Sequence, residues 1–339
     1  QPFAAISREL NCSETDVLRR VQAMKDSGVI RQISAIFDSR RLGYRSLLAA
    51  FGAPPDRLEI VAAAVSAHPG VSHSYEREHR FNLWFTMTVP PGVDPVAECE
   101  RLAAQMRVSL WAPFPAIQTF KIGVSFSMGR EDTDLEAPAV KPSAAASHSG
   151  EKVRDYARPS DEDIALIRAL QRDIPINSHP FRLQAEKLGL TEEDLLNRAG
   201  QLRQRRLMRR FAAVLRHRQA GYSANGMACW TVPAGQIGEI GPRVAAFTEV
   251  SHCYERRPAP PAWPYNLFAM IHARRREDVK AVVDRISACV GLSAGEILFS
   301  AREFKKERVV YFPEEDDRLL LSRRVPDTPM AAGDDGSKA

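Results

Sequence analysis

The chain's 339 residues, 44% hydrophobic and 26% charged, suffice for roughly two to four packed domains and exclude a disordered polyelectrolyte. No apolar run is long enough to cross a bilayer and no basic-then-apolar leader opens the chain, so a cytoplasmic protein without a membrane partner is expected. Five scattered cysteines, Cys12, Cys99, Cys229, Cys253 and Cys289, form no C-x-x-C pair and argue against structural zinc or a disulfide framework, while a net charge of +5 admits nucleic acid or an acidic small molecule as partner.

In chain order, Ser13-Glu14-Thr15-Asp16 joins a capping hydroxyl to first-turn acids. Val17, Leu18, Val21 and Met24 then make an apolar stripe, and Gly28 closes the helix. The strand-like run Val29 to Phe37 completes a helix-turn-helix with a wing over 1–43. From Tyr44 the expected order is a strand at 45–53, a helix at 57–67, a hairpin from Val71, a helix at 95–109 and a strand at 117–126. This β-α-β-β-α-β series over 44–128 is the ferredoxin-like plan. The Pro-, Ala- and Ser-rich stretch 129–160 reads as a linker.

The plan then repeats, because Gln1 to Tyr44 aligns without gaps to His179 to Tyr222. A second helix-turn-helix is expected at 161–221, a second ferredoxin-like domain at 222–325, and a disordered tail at 326–339. The helical lead DEDIALIRALQRDIPINSHPF of the second copy has no counterpart before Gln1, so the chain is expected to begin inside its first domain. The fold class is thus α+β in two tandem copies, with the two sheets expected to pack together, since each needs a cover for the face its helices leave open. The basic run Arg203 to Arg218 is either a solvated helix end or a phosphate-binding surface.

The hairpins carry the unusual residues. VSHSYEREHRFNLWFTM, from Val71 to Met87, returns as VSHCYERRPAPPAWPYNLFAMI, from Val250 to Ile271. As strands, they place His73, Tyr75 and Arg77 on one face, and His252, Tyr254 and Arg256 likewise. Arg can grip a carboxylate bidentately, and the hairpins also carry the aromatics Trp84, Phe81, Trp263 and Tyr265. The alternative is that the arginines pair with Glu76, Glu78 or Glu255 and that the aromatics, Phe81 and Phe85 above all, are core. Asn82 and Asn266 either brace the hairpins or bond a substrate carboxylate. At the tip the first copy has His79, the second a stiff loop from Pro258 to Pro264.

The segment SETDVLRRVQAMKDSGVIRQISAIFDSRRLGY is similar to the recognition helix and wing of the Lrp/AsnC family of regulators. YEREHRFNLWFTM and YERRPAPPAWPYNLFAMIH resemble the narrower group of siroheme decarboxylases, with their two related subunits fused in one chain. The Lrp/AsnC resemblance covers nearly all of both halves, and the narrower one rests on the hairpins. The narrower one implies removal of carbon dioxide from two acetate side chains of siroheme, giving didecarboxysiroheme for heme d1 or heme synthesis. No cofactor is required, since the siroheme iron enters with the substrate. Under the resemblance His79, Tyr75 and Arg77 are the expected catalytic residues, His79 first as general acid. His73, Arg80, Asn82, Trp84, His252, Tyr254, Arg256, Trp263, Tyr265 and Asn266 are expected to bind substrate. The protein alone has no expected metal site; His73 or His252 is either an axial ligand to the substrate iron or a strand histidine bonded to backbone. Siroheme is the expected partner, the two halves pair within the chain, and a further homodimer is left open. The alternative function is an Lrp/AsnC-type DNA-binding regulator, with tetrapyrrole sensing as an option. Against it, the two recognition helices differ at Arg19/Asn197, Gln22/Gly200 and Lys25/Arg203, whereas operator readers usually work as symmetric pairs.

Overall fold

The computed structural model describes residues 1–123, 158–215, 224–293 and 295–313. The expected linker, 129–160, lies outside them as far as residue 157, as do the expected tail and the basic run beyond Leu215. The first half comprises α1 (Pro2–Glu9), α2 (Glu14–Asp26), β1 (Ile30–Phe37), β2 (Arg45–Gly52), α3 (Leu58–Ala67), β3 (Val71–Arg77), β4 (Leu83–Val89), α4 (Pro95–Gln105), β5 (Leu110–Phe114) and β6 (Ala116–Ile122). The second comprises α5 (Asp161–Leu170), α6 (Arg182–Lys187), α7 (Glu192–Gln204), β7 (Met208–Leu215), β8 (Ala224–Trp230), α8 (Ile237–Ala245), β9 (Val250–Arg256), β10 (Leu267–Ala273), α9 (Arg276–Val290) and β11 (Glu296–Lys306). Ser13 and Thr191 cap α2 and α7 by accepting the Asp16 and Asp194 amides, both at 3.1 Å. Among the described residues no helix is long and apolar enough to cross a membrane.

The two helix-turn-helix modules form one body. Phe3, Val17 and Phe37 of the first share a core with Ile167, Leu195 and Leu202 of the second. The wings pair with each other, β1 antiparallel to β7, so each strand satisfies the edge the other would expose.

The sheets do pack together, through one continuous nine-stranded sheet ordered β5-β2-β4-β3-β11-β8-β10-β9-β6. Each half donates its last strand to the other: β6 pairs with β9, and the second part of β11 pairs with β3 while its first part stays with β8. Pro115 splits β5 from β6, because proline has no N–H to give a ladder; β11 has no proline and runs through. One face of each half-sheet is covered by its own helices, as where Val61, Val65 and Leu102 meet Leu83 and Phe85. The other faces converge on a shared cluster that joins Trp84 and Phe114 to Met227, Phe268 and Leu298.

Candidate active site

Each motif strand has one neighbour from its own half and one from the other. The Ser74 hydroxyl lies 2.7 Å from that of Ser66 on α3, which marks the helix side of β3. His73, Tyr75 and Arg77 therefore look the opposite way, and a bulge between Val71 and His73 turns Val71 back to the helices.

Arg77 is only 3% exposed. Its Nη1 donates to the Leu298 carbonyl of β11 at 2.5 Å, and its buried Nε has no acceptor. Arg256 repeats the arrangement: Nη1 donates to the Phe114 carbonyl of β5 at 2.8 Å, and Nε again has none. Glu76 binds Arg302 and Glu78 binds Arg276 instead, and burial raises the pKa of Glu255. Among the described residues no carboxylate reaches either guanidinium. The Tyr75 and Tyr254 rings lie 5.9 and 4.6 Å from the guanidinium carbons, and burial pushes both arginine pKa values down to about 10. A buried cation that meets only carbonyls and ring faces costs free energy until an anion joins it.

His73 Nδ1 lies 2.9 Å from the Ser72 hydroxyl, and His252 Nδ1 lies 2.9 Å from that of Ser251. Each serine donates its own proton to a strand carbonyl, Thr86 at 3.4 Å and Met270 at 3.2 Å. With Ser251 donating to Met270, His252 donates from Nδ1 to the serine oxygen, which also lies 2.9 Å from His272 Nε2, and a neutral His252 then carries its lone pair on Nε2, the form that ligates iron. Burial pushes the His252 pKa down to about 4, with Arg256 and Lys121 acting in the same sense. In both copies the histidine stacks on the following tyrosine, with ring centroids 6.3 Å apart.

His79 sits at the first hairpin's tip. Its Nδ1 accepts the Phe81 amide at 3.0 Å, so the ring proton is on Nε2, 4.0 Å from Glu296 Oε1. The ring meets Trp263 of the second hairpin edge-on at 5.4 Å. Burial pushes its pKa down, Glu296 pulls it up, and Arg80 pushes it down again.

Several expected substrate contacts have structural duties instead. Asn82 accepts the Ala53 amide at 2.9 Å and donates to the Ala53 carbonyl at 2.8 Å. Asn266 does the same to Val232 at 2.8 and 2.9 Å. Both amides brace the hairpins, which corrects their assignment to substrate. Trp84 and Trp263, each 1% exposed, lie in the shared core, as does Phe81; they stiffen the floor of the site rather than wall a ligand. Trp84 donates its indole N–H to the Phe81 carbonyl at 2.7 Å, whereas that of Trp263 is buried without an acceptor. Tyr265 packs edge-on against Trp263 at 5.1 Å. Arg80 is exposed and donates to the Ala262 carbonyl, tying the first hairpin to the second loop.

Strand exchange adds residues outside the motifs. Register sets Glu303 opposite Tyr75 and Lys306 opposite His73 on the first face, and Thr119 opposite Tyr254 and Ile122 opposite His252 on the second. Cross-strand neighbours share a face, so the first is more polar. Arg40 reaches the second face through Thr119 at 3.4 Å, and burial raises the Tyr254 pKa while Arg256, Arg40 and Arg209 oppose it. Aligning TFKI of β6 with EFKK of β11 is the sequence signal that pairs these positions.

The AsnC-like ligand binding domain matches residues 41–121 and 219–305, and the siroheme decarboxylase NirDL-like HTH domain matches 1–31 and 163–209. The chain is 40% identical over 319 residues to a siroheme decarboxylase of Hydrogenobacter thermophilus, covering 94% of this chain and 92% of the relative. It is 44% identical over 147 residues to a siroheme decarboxylase beta subunit of Methanosarcina barkeri, a match that spans 43% of this chain and 96% of the subunit. The fold is similar to the crystal structure of the siroheme decarboxylase NirDL in co-complex with an iron-uroporphyrin III analogue, with a TM-score of 0.71, 33% identity, and 96% of this chain and 94% of that one covered.

Proposed function

The chain belongs to the siroheme decarboxylase family, and from that premise we propose that it decarboxylates acetate side chains of siroheme at its His-Tyr-Arg faces, with His79 supplying the proton. The observation that carries this reading is the pair of guanidiniums, Arg77 and Arg256, each with a buried Nε and no anion among the described residues. Siroheme brings carboxylates around the rim of a flat ring. From His73 to Arg77 the strand extends about 13 Å, a length on the scale of the macrocycle. His252, neutral with its lone pair on Nε2, is suited to the substrate iron.

In each decarboxylation the bond between the methylene and carboxyl carbons breaks. The electron pair stays on the methylene carbon, which takes a proton to become methyl, and carbon dioxide leaves. No added cofactor is required in this scheme. Arg77 anchors a neighbouring carboxylate, because gripping the reacting one would stabilise the ground state. Protonating His79 forfeits its Phe81 bond, which keeps it neutral at rest. Substrate carboxylates act as Glu296 does and raise its pKa, so it loads a proton in the complex.

The test is anaerobic incubation with siroheme and mass-resolved analysis of the product. Loss of two carboxyl groups is expected. His79→Ala should lower turnover by about a hundred- to ten-thousand-fold while tetrapyrrole binding persists. Unchanged siroheme in the presence of folded wild-type protein overturns the proposal.

A further inference from the structure

A cavity of about 630 Å³ lies between β1 and the arm 307–311 that follows β11, lined in part by Arg31, Arg172, Arg308, Asp173 and Glu307. It adjoins the first His-Tyr-Arg face. Lys306 is in register with His73, and the next residue, Glu307, gives its amide to the Ser72 carbonyl at 2.7 Å. Both acids in the lining are already engaged. Asp173 accepts the Ile33 amide at 2.8 Å and the Lys25 ammonium, and Glu307 lies 3.8 Å from Lys305.

The arginines are less well matched. Arg308 donates to the Ser34 hydroxyl at 2.9 Å and the Ala35 carbonyl at 3.4 Å, both neutral acceptors. Arg31 has no carboxylate partner among the described residues. Arg31 and Arg210 both act on Arg308 as like charges, adding to the effect of burial in lowering its pKa. The other half handles the same position differently. Arg209, which aligns with Arg31, is held by Asp38 Oδ2 at 3.1 Å from Nε and 2.9 Å from Nη2. The repeat sets Arg216 opposite Asp38 in sequence, so that acid is not duplicated. A wing arginine is neutralised on one side of the molecule and left beside a second cation on the other.

We infer that this cavity is a subsite for acetate side chains of the tetrapyrrole that do not react, with Arg31 and Arg308 as positioning residues that set which edge of the ring enters. The volume exceeds the need of a lone carboxylate and falls in the range of small-molecule sites, and Ile36, Phe37 and Val310 offer apolar contact to a ring edge. The inference rests on the decarboxylase reading and deepens it.

The test titrates full-length protein with iron uroporphyrin III and with iron coproporphyrin III, in which methyl groups replace the acetates. Wild type should bind the acetate-bearing ring more tightly. Arg31→Gln and Arg308→Gln should each weaken that binding about tenfold, the loss of one charge-assisted contact, and should narrow the preference between the two porphyrins. With siroheme they should raise KM and leave kcat within about twofold. Arg101→Gln, on the exposed side of α4, is the control. Among the described residues Arg31 has no side-chain bond to lose, whereas Arg308 holds Ser34, so the Arg31 variant separates a binding role from a folding role if Arg308→Gln is unstable. A wild-type protein that binds neither porphyrin sinks the decarboxylase reading and this subsite together. A wild type that binds both, with a folded Arg31→Gln variant as tight and as selective, overturns the subsite alone.

Discussion

Arg77 and Arg256 are better explained by what they bind than by what they stabilise. Arg77 is buried and Arg256 partly so, each with one carbonyl acceptor and a buried, unbonded Nε, and replacing a buried ion with an apolar side chain of similar length is often neutral or stabilising. Arg77→Met should therefore leave unfolding stability within about 1 kcal/mol of wild type or above it, while affinity for iron uroporphyrin III falls at least tenfold; calorimetry and a spectroscopic titration of the same sample check both halves. A large loss of stability with unchanged affinity would make Arg77 a structural residue. His252 adds a pH dependence. Its pKa is about 4 in the folded chain against an ordinary 6.5, so between these values the unfolded state binds more protons and stability falls as pH falls, by at most about 3 kcal/mol. His252→Gln should flatten that limb of the stability curve and leave the region above pH 7 unchanged. At this scale the sequence showed the His-Tyr-Arg triplets, because a polar strand face that occurs twice is conspicuous. It could not assign the asparagines, since bracing and substrate binding use the same amide.

Elements governed by local signals matched expectation. Ser13 and Thr191 start their helices, Gly28 stops one at a φ of +75°, and the hairpins fall where alternation puts them. What was not legible is partner choice. Backbone hydrogen bonds carry no side-chain signature, so nothing in β6 or β11 announces that each pairs with a strand of the other half, and no local signal sets β5 apart between the expected helix and the expected closing strand. The residues that the exchange brings in, Glu303, Lys306, Thr119 and Ile122, were missed for the same reason. Exchange also creates a point where one atom matters. A Cβ on Gly241 of α8 would lie 2.3 Å from the ring of Phe120 on β6. Gly241→Ala should cost about 1–3 kcal/mol by overpacking and should speed amide hydrogen exchange first in residues 116–122. Protection lost evenly across the sheet would mean that β6 is not held separately by α8.

For the whole molecule, the two halves are not domains that could part. The helix-turn-helix core and the cluster between the sheet faces each draw residues from both halves, each half closes the other's sheet, and the arm after β11 reaches back to the first module, where Tyr311 meets Ser39 at 2.6 Å and Phe312 gives its amide to Tyr44. This also bears on the regulator alternative: the wings pair with each other and the recognition helices are unlike one another, whereas operator readers usually work as symmetric pairs. The shared cores and the exchanged strands join the halves without help from the segment between them. Cutting the chain between 129 and 157 should therefore yield two polypeptides that co-purify in equal amounts and decarboxylate siroheme together. Either one alone would expose the apolar cluster face and an unpaired strand edge, and should aggregate or remain unfolded. Sedimentation of each fragment, alone and mixed, decides the matter: a lone half that is monomeric, folded and active would show that strand exchange is dispensable, and that the first His-Tyr-Arg face does not need β11 to complete it.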